Sequence, residues 1–128
     1  MNKEQFIRVI AARPHEQASV MFLRNELEAM QEYVNGYIEC YCIPWDPEVI
    51  IVCNEEGKLR GMDHCRMLFR GDDRNIVEQF VGPIFVARDD GEGNIVSLTD
   101  DQAKRYYDRF RYAEYIDFDG HRVPVYTY

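Results

Sequence analysis

The middle of the chain carries a dense group of charged and amide side chains. Its three cations, Lys58, Arg60 and Arg66, could bind the phosphate or carboxylate of a small polar ligand. The alternative interpretation is a solvated turn in which the asparagine side chain bonds to nearby backbone. Because binding residues concentrate on loops held by rigid strands, we treat the block as a candidate site. The predicted ligand-binding residues are Asn54, Glu55, Glu56, Lys58, Arg60, His64 and Arg66.

His64 and Cys65 are the side chains near this block that could act in acid–base or nucleophilic chemistry. Catalytic partners meet through the fold, so adjacency in the sequence does not indicate a dyad. We therefore assign no catalytic residue and favour a protein without enzymatic activity. A small hydrolase or transferase that uses His64 or Cys65 is the alternative hypothesis.

Four cysteines raise the question of a metal site. Zinc requires four converging ligands, and the Cys40-x-Cys42 spacing within a predicted strand differs from the usual zinc-binding spacing. Both side chains share a strand face with Ile38, where a buried cysteine behaves as a small hydrophobic residue. We therefore predict no metal site and no cofactor.

Tyrosine and arginine side chains concentrate in the C-terminal third of the chain. Such residues often anchor protein interfaces, and Tyr106, Arg109 and Tyr112 are the candidate interface residues, including for contacts between copies of the chain. Two alternatives stay open. The rings could stack on nucleobases, or they could belong to a core helix whose arginine stems lie over them.

The length and charge of the chain limit its class. Its 128 residues are about the size of one domain, and 46% of them are hydrophobic, which excludes a wholly disordered chain. Lys and Arg total 15 against 23 Asp and Glu, a formal net charge of −8 that argues against binding of a long nucleic-acid duplex. No window approaches the roughly 20 apolar residues of a membrane-spanning helix. With no secretory signal and with clustered thiols, we expect a cytoplasmic protein and no membrane partner.

Patterns of strand residues predict most of the sheet. Residues 6–12, 37–43 and 49–53 predict strands, and the last is apolar on both faces, so it should be central. Residues 83–87 and 95–98 predict a hairpin. Residues 54–59 predict a tight turn, whereas 60–74 read as polar and irregular apart from 67–69. Asp119-Gly120 predicts a terminal hairpin whose Pro124 belongs on an edge strand.

Two segments predict helices. The first is capped by Asn25 with Glu28 three residues later, carries Leu27 on its apolar face and ends near Gly36. The second begins at residues 99–102, which have the pattern of a capping box. The predicted fold is therefore a single compact α+β domain, residues 1–128, with a mostly antiparallel sheet and two main helices.

A resemblance to a known family rests on the Asn-capped helix with Leu27, Met30, Gln31 and Val34 and on four further segments: residues 36–39, 54–61, 82–86 and 96–102. In these segments the chain resembles a family of small proteins of phages, plasmids and conjugative elements that is defined as a domain of unknown function. The resemblance covers most of residues 20–110, and the Asn-Glu-Glu-Gly-Lys-Leu block at 54–59 is its most specific part. It implies a mobile-element origin, a small α+β domain and the cytoplasm of a host bacterial cell.

These observations lead to a functional expectation. We expect a small non-enzymatic binding protein of a phage or mobile element that sequesters a nucleotide-like signal or masks a host protein, including a protein of host defence. The candidate partners are a small anionic or nucleotide-like ligand, a host protein and a second copy of the chain. A structural oligomeric accessory protein is a further alternative.

Overall fold

The computed structural model describes residues 4–69, 76–111 and 114–127. Along these residues the elements are β1 (Phe6–Ala12), β2 (Ser19–Arg24), α1 (Leu27–Val34), β3 (Ile38–Cys42), β4 (Val49–Asn54), β5 (His64–Phe69), β6 (Ile76–Val81), β7 (Ile84–Asp89), β8 (Ile95–Val96), α2 (Asp100–Arg111), β9 (Glu114–Phe118) and β10 (His121–Thr127).

The strands form two sheets. The first has the order β2-β1-β7-β4-β3, with β8 paired to β7, and the second has the order β6-β5-β10-β9. Among the described strands every pairing is antiparallel except that of β10 with β5. The predicted α+β domain with a mostly antiparallel sheet and two helices is confirmed.

Strand β4 lies at the centre of the core, as its apolar sequence predicts. Ile50 and Val52 face α1, whereas Val49 and Ile51 face the second sheet and α2. Each of these side chains is buried, and burial of one stabilises the fold by roughly 1.5–3 kcal/mol relative to exposure. The first sheet is therefore the middle layer of three, because it is covered on both faces.

The start of α1 differs from the prediction. The helix begins at Leu27, and Glu26 occupies the N-cap position without a side-chain capping hydrogen bond. Asn25 instead donates from Nδ2 to the carbonyl oxygen of Glu4 at 3.0 Å. This long-range bond removes Asn25 from the cap, and Leu27 is 56% exposed rather than on the buried face.

The start of α2 is as predicted. The backbone N–H of Gln102 donates to Oγ1 of Thr99 at 3.2 Å, and the N–H of Thr99 donates to Oε1 of Gln102 at 3.0 Å. These two bonds form a capping box, which satisfies N–H groups that have no partner within the helix.

Two strand predictions are wrong. The region from residue 60 onwards contains β5 and leads to β6, because these strands pair with each other despite their polar residues. Strand β10 lies between β5 and β9 rather than at an edge. Pro124 is accommodated because it pairs with Tyr115 of β9, while the register with β5 starts only at Val125.

The hydroxyl of Tyr33 makes the free energy of unfolding depend on pH in the alkaline range. It donates to the carbonyl oxygen of Ile84 at 2.9 Å, and burial raises its pKa from 10.0 to about 12. Because the folded chain keeps a proton that the unfolded chain releases, this stabilisation is complete below about pH 10 and is lost as the pH rises towards about 12.

We expect Tyr33→Phe to lower the free energy of unfolding by about 1 kcal/mol at neutral pH. The variant should also lose stability less steeply than the wild type between about pH 10 and 12, which urea titrations at each pH measure. Burial raises the pKa of the Cys53 and Cys65 thiols in the same direction, so part of the alkaline loss should stay in the variant. Equal slopes in the two proteins would contradict the assignment to Tyr33.

Candidate functional site

A cleft of about 130 Å³ opens between β3 and β6, the outer strands of the two sheets. Its floor includes Tyr41 and Phe80, whose rings meet edge to face with their centroids 5.4 Å apart. The turn that follows β4 closes one end. We call this hollow the acidic cleft, and its main lining residues are Glu39, Tyr41, Glu55, Lys58, Glu78 and Phe80.

Carboxylates dominate the charge of the acidic cleft. Among the described residues, Glu39, Glu55 and Glu78 line it together with one cation, Lys58, whose Nζ lies 2.7 Å from Oε1 of Glu78. The pKa of the Cys53 thiol reflects the same excess of negative charge. Burial raises its pKa to about 12, Glu39 and Glu78 add to this rise, and Lys58 opposes it. The cleft is therefore suited to a cation rather than to an anion.

The side chain of Asn54 is used within the fold. Its Nδ2 donates to the carbonyl oxygens of Val34 at 2.9 Å and Asn35 at 3.0 Å, and its Oδ1 accepts from the N–H of Glu56 at 2.7 Å. The last carbonyl groups of a helix have no partner within it, so Asn54 caps the C-terminus of α1. The alternative in which the asparagine side chain bonds to backbone groups is therefore correct for Asn54. This residue also borders the acidic cleft.

Two further residues complete this capping arrangement. A Cβ atom at Gly36 would lie 2.7 Å from Nδ2 of Asn54, so only glycine allows the amide to approach so closely. Arg60 donates from Nη1 to the carbonyl oxygen of Asn35 at 2.5 Å. Because Asn35 is the left-handed residue that ends α1, Arg60 strengthens the same junction.

The predicted trio of cations has three separate sets of partners. Arg66 is only 2% exposed and donates to the carbonyl oxygens of Glu16 at 2.7 Å and Cys65 at 2.8 Å, which holds the loop after β1. Lys58 pairs with Glu78, and Arg60 binds the end of α1. The trio is therefore not arranged around one anion, because two of its guanidinium groups bind backbone carbonyls.

The other members of the predicted block lie near the acidic cleft. Glu55 lines it, and the exposed Glu56 contributes its backbone N–H to the turn. His64 lies beside Gln79, with Nδ1 against the amide nitrogen, and Gln79 borders the cleft.

Three residues that line the cleft were not predicted as site residues: Glu39, Tyr41 and Glu78. The alternation of β3 places Glu39 and Tyr41 on one face, which was a sequence signal for these two. Glu78 could not be found because β6 was not predicted.

Cys65 is not available as a nucleophile. Its side chain is fully buried in the core, and burial raises the pKa of the thiol to about 12. The reactive form of cysteine is the thiolate, so this residue is protonated and enclosed at neutral pH. The hydrolase hypothesis therefore loses one of its two candidate residues.

The expectation that Cys40 and Cys42 are buried is wrong. Both side chains are exposed free thiols on β3. The reason is that β3 is an outer strand and α1 has only eight residues, so the helix does not cover this part of the sheet. Within the described residues there is no group of three His, Cys, Asp or Glu side chains that could hold a metal ion.

The predicted interface residues have different environments. Tyr106 is fully buried in the core, and its hydroxyl donates to Oδ2 of Asp46 at 2.5 Å. It offers no surface to a partner, so the core-helix alternative is correct for this residue. Arg109 is partly exposed on α2, and Tyr112 lies outside the described residues.

A larger groove lies between α1 and the β7–β8 hairpin. We call this hollow of about 640 Å³ the helix–hairpin groove. Leu27, Met30, Ile38 and Ile95 give it an apolar lining, and Arg88 is its one cation among the described residues. Its residues come from four separate segments of the chain, so no local sequence pattern indicates this groove.

The chain belongs to the family described as Domain of unknown function (DUF3846), whose profile matches residues 7–111. The matched stretch begins in β1 and ends at the last residue of α2, so it contains every residue named for the acidic cleft. No curated protein and no solved structure matches the chain. Neither helix in the described part of the chain is long and apolar enough to cross a membrane.

The Asn54 cap can be tested by its effect on stability. We expect Asn54→Ala to lower the free energy of unfolding by about 1–3 kcal/mol, because it removes the side-chain donor to the carbonyl group of Val34 and leaves the carbonyl group of Asn35 with Arg60 alone among its side-chain donors in the described residues. Asn94→Ala is the matched control, since Asn94 is an exposed asparagine that bonds to Asp90 in a surface hairpin. It should change the value by less than about 0.5 kcal/mol. Equal losses in urea titrations of the two variants would contradict the capping role.

Proposed function

We propose that the chain is a non-enzymatic binding protein of a phage or other mobile element that masks a host protein in the bacterial cytoplasm. The observation that carries this proposal is the acidic cleft, which presents Glu39, Glu55 and Glu78 between the outer strands of both sheets. Complementary charge steers protein partners together and selects among them, so a basic surface is the natural counterpart.

Two further observations support the non-enzymatic part of the proposal. Cys65 is buried and protonated, and His64 has the amide of Gln79 beside Nδ1. A nucleophile and its base must lie within hydrogen-bonding reach of each other and of substrate. The mobile-element setting is supported by the resemblance of residues 36–39, 54–61, 82–86 and 96–102 to proteins of phages and plasmids.

The proposal is tested by capture of a host partner, followed by binding measurements with the purified partner. The wild-type chain and two triple variants are compared: the cleft variant Glu39→Gln/Glu55→Gln/Glu78→Gln, and a control that makes the same charge change at the exposed residues Glu28, Glu32 and Glu92. We expect the partner to bind the wild type and the control equally and the cleft variant at least about tenfold more weakly.

Partner binding that is the same for all three proteins would contradict the role of the cleft. Conversion of the partner into a product by the wild-type chain would contradict the non-enzymatic assignment. Thermal unfolding of the variants serves as the check on folding, because all six glutamates lie at or near the surface.

A second candidate function is supported by the helix–hairpin groove. Its volume of about 640 Å³ falls within the range of small-molecule sites, and its apolar residues would suit the base of a nucleotide-like ligand. Arg88 is the cation that would meet the phosphate, beside the carboxylates of Glu4 and Asp90. If this function holds, AMP should raise the melting temperature of the wild type and be recovered unchanged. Leu27→Asp should abolish the shift, because Leu27 is exposed and lines the groove. The absence of any shift with AMP, cyclic AMP and NAD would contradict this candidate.

A further inference from the structure

We propose that the acidic cleft binds one arginine side chain of the partner protein, and that in the free chain the ammonium group of Lys58 occupies the position of this guanidinium. This inference rests on the proposed function, since it names the chemical group that the cleft recognises. It also makes Lys58 a competitor of the ligand, whereas an anion site would require Lys58 as a contact.

The size of the cleft restricts what can enter it. A volume of about 130 Å³ accommodates the end of a single side chain, and it lies below the roughly 300 Å³ at which sites for complete small ligands begin. The outer strands β3 and β6 flank the opening. A side chain that projects from a protein surface can therefore reach the floor, while the rest of the partner stays outside.

The charges in the cleft favour a cation. Glu39 and Glu55 are exposed, and neither forms an ion pair with any described residue. Glu78 is more enclosed, with 30% of its side chain exposed, and among the described residues Lys58 is the cation that pairs with it. An entering guanidinium would thus meet two exposed carboxylates that form no ion pair with a described residue, and a third that is more enclosed.

The floor favours a guanidinium over an ammonium group. The ring of Tyr41 is partly buried against Phe80, and an arginine head group can stack on an aromatic ring while its N–H groups bind carboxylates. A lysine presents a compact charge without this flat surface. Carboxylates beside an aromatic ring therefore match arginine in both shape and charge.

Lys58 can leave its position at low cost. Its side chain is 64% exposed, and it reaches Glu78 from the turn after β4. Exposed ion pairs contribute little to stability, so exchange of this ammonium for a partner's guanidinium replaces a weak contact with a more enclosed one. Removal of Lys58 should consequently strengthen binding of the cationic ligand.

The experiment uses the pentapeptide acetyl-Gly-Ser-Arg-Ser-Gly-amide as the probe, with citrulline in place of arginine as the neutral control peptide. Binding is followed by changes in the amide NMR spectrum of the full chain. We expect Lys58→Met to bind the arginine peptide about threefold more tightly than the wild type. Glu78→Gln should bind it at least about tenfold more weakly, and the citrulline peptide should bind to neither.

Lys104→Met is the matched control for Lys58→Met, because Lys104 is an exposed lysine on α2 and its loss changes the net charge equally. It should leave the affinity unchanged within the error of the titration. A similar gain in the two lysine variants would overturn the competitor role of Lys58. Weaker binding by Lys58→Met would overturn the inference as a whole.

The results separate this inference from the proposed function. If a host partner depends on the acidic cleft but the arginine peptide binds neither wild type nor Lys58→Met, the inference fails and the proposed function stands. If the peptide binds as expected but no host partner depends on the cleft, the proposed function fails and the arginine site stands.

Discussion

The side-chain amide of Asn54 joins the parts of the molecule on which the acidic cleft depends. It lies at the end of the central strand β4, donates to the last carbonyl groups of α1 and accepts from the turn that carries Glu55 and Lys58. Buried carbonyl groups without a donor destabilise a fold, so these hydrogen bonds hold helix, strand and turn in one arrangement. The backbone of the turn is thereby held against β4 and the end of α1.

The same arrangement explains how a block rich in basic residues forms an acidic cleft. Arg60 and Arg66 bind backbone carbonyls elsewhere, which leaves Lys58 as the cation among the described residues that line the hollow. The carboxylates of Glu39 and Glu78 come from β3 and β6, strands of two different sheets. A surface of this kind fits the formal net charge of −8.

Local sequence patterns predicted the elements whose signals are contained within a few residues. The apolar run of β4 and the Thr99–Gln102 capping box are both present as expected. Predictions that depended on distant neighbours were less successful. Asn25 bonds to Glu4 rather than capping α1, and Cys40 is exposed because α1 is too short to cover β3. Strand β5 was missed because only its second half, residues 67–69, forms an apolar run, and its pairing with β6 and β10 is long-range.

The sequence by itself determined the fold class, the two helices and the turn at residues 54–59, because periodicity, capping and turn chemistry act between near neighbours. It also singled out Asn54, Glu55 and Lys58 for a candidate site, and these residues border the acidic cleft. Only the tertiary structure decided the sign of that site's charge. Side chains from β3, the turn and β6 meet there, and long-range packing sent Arg66 into the interior. Charge at a site is a sum over residues that are close in space, and this sum is not readable from their order in the chain.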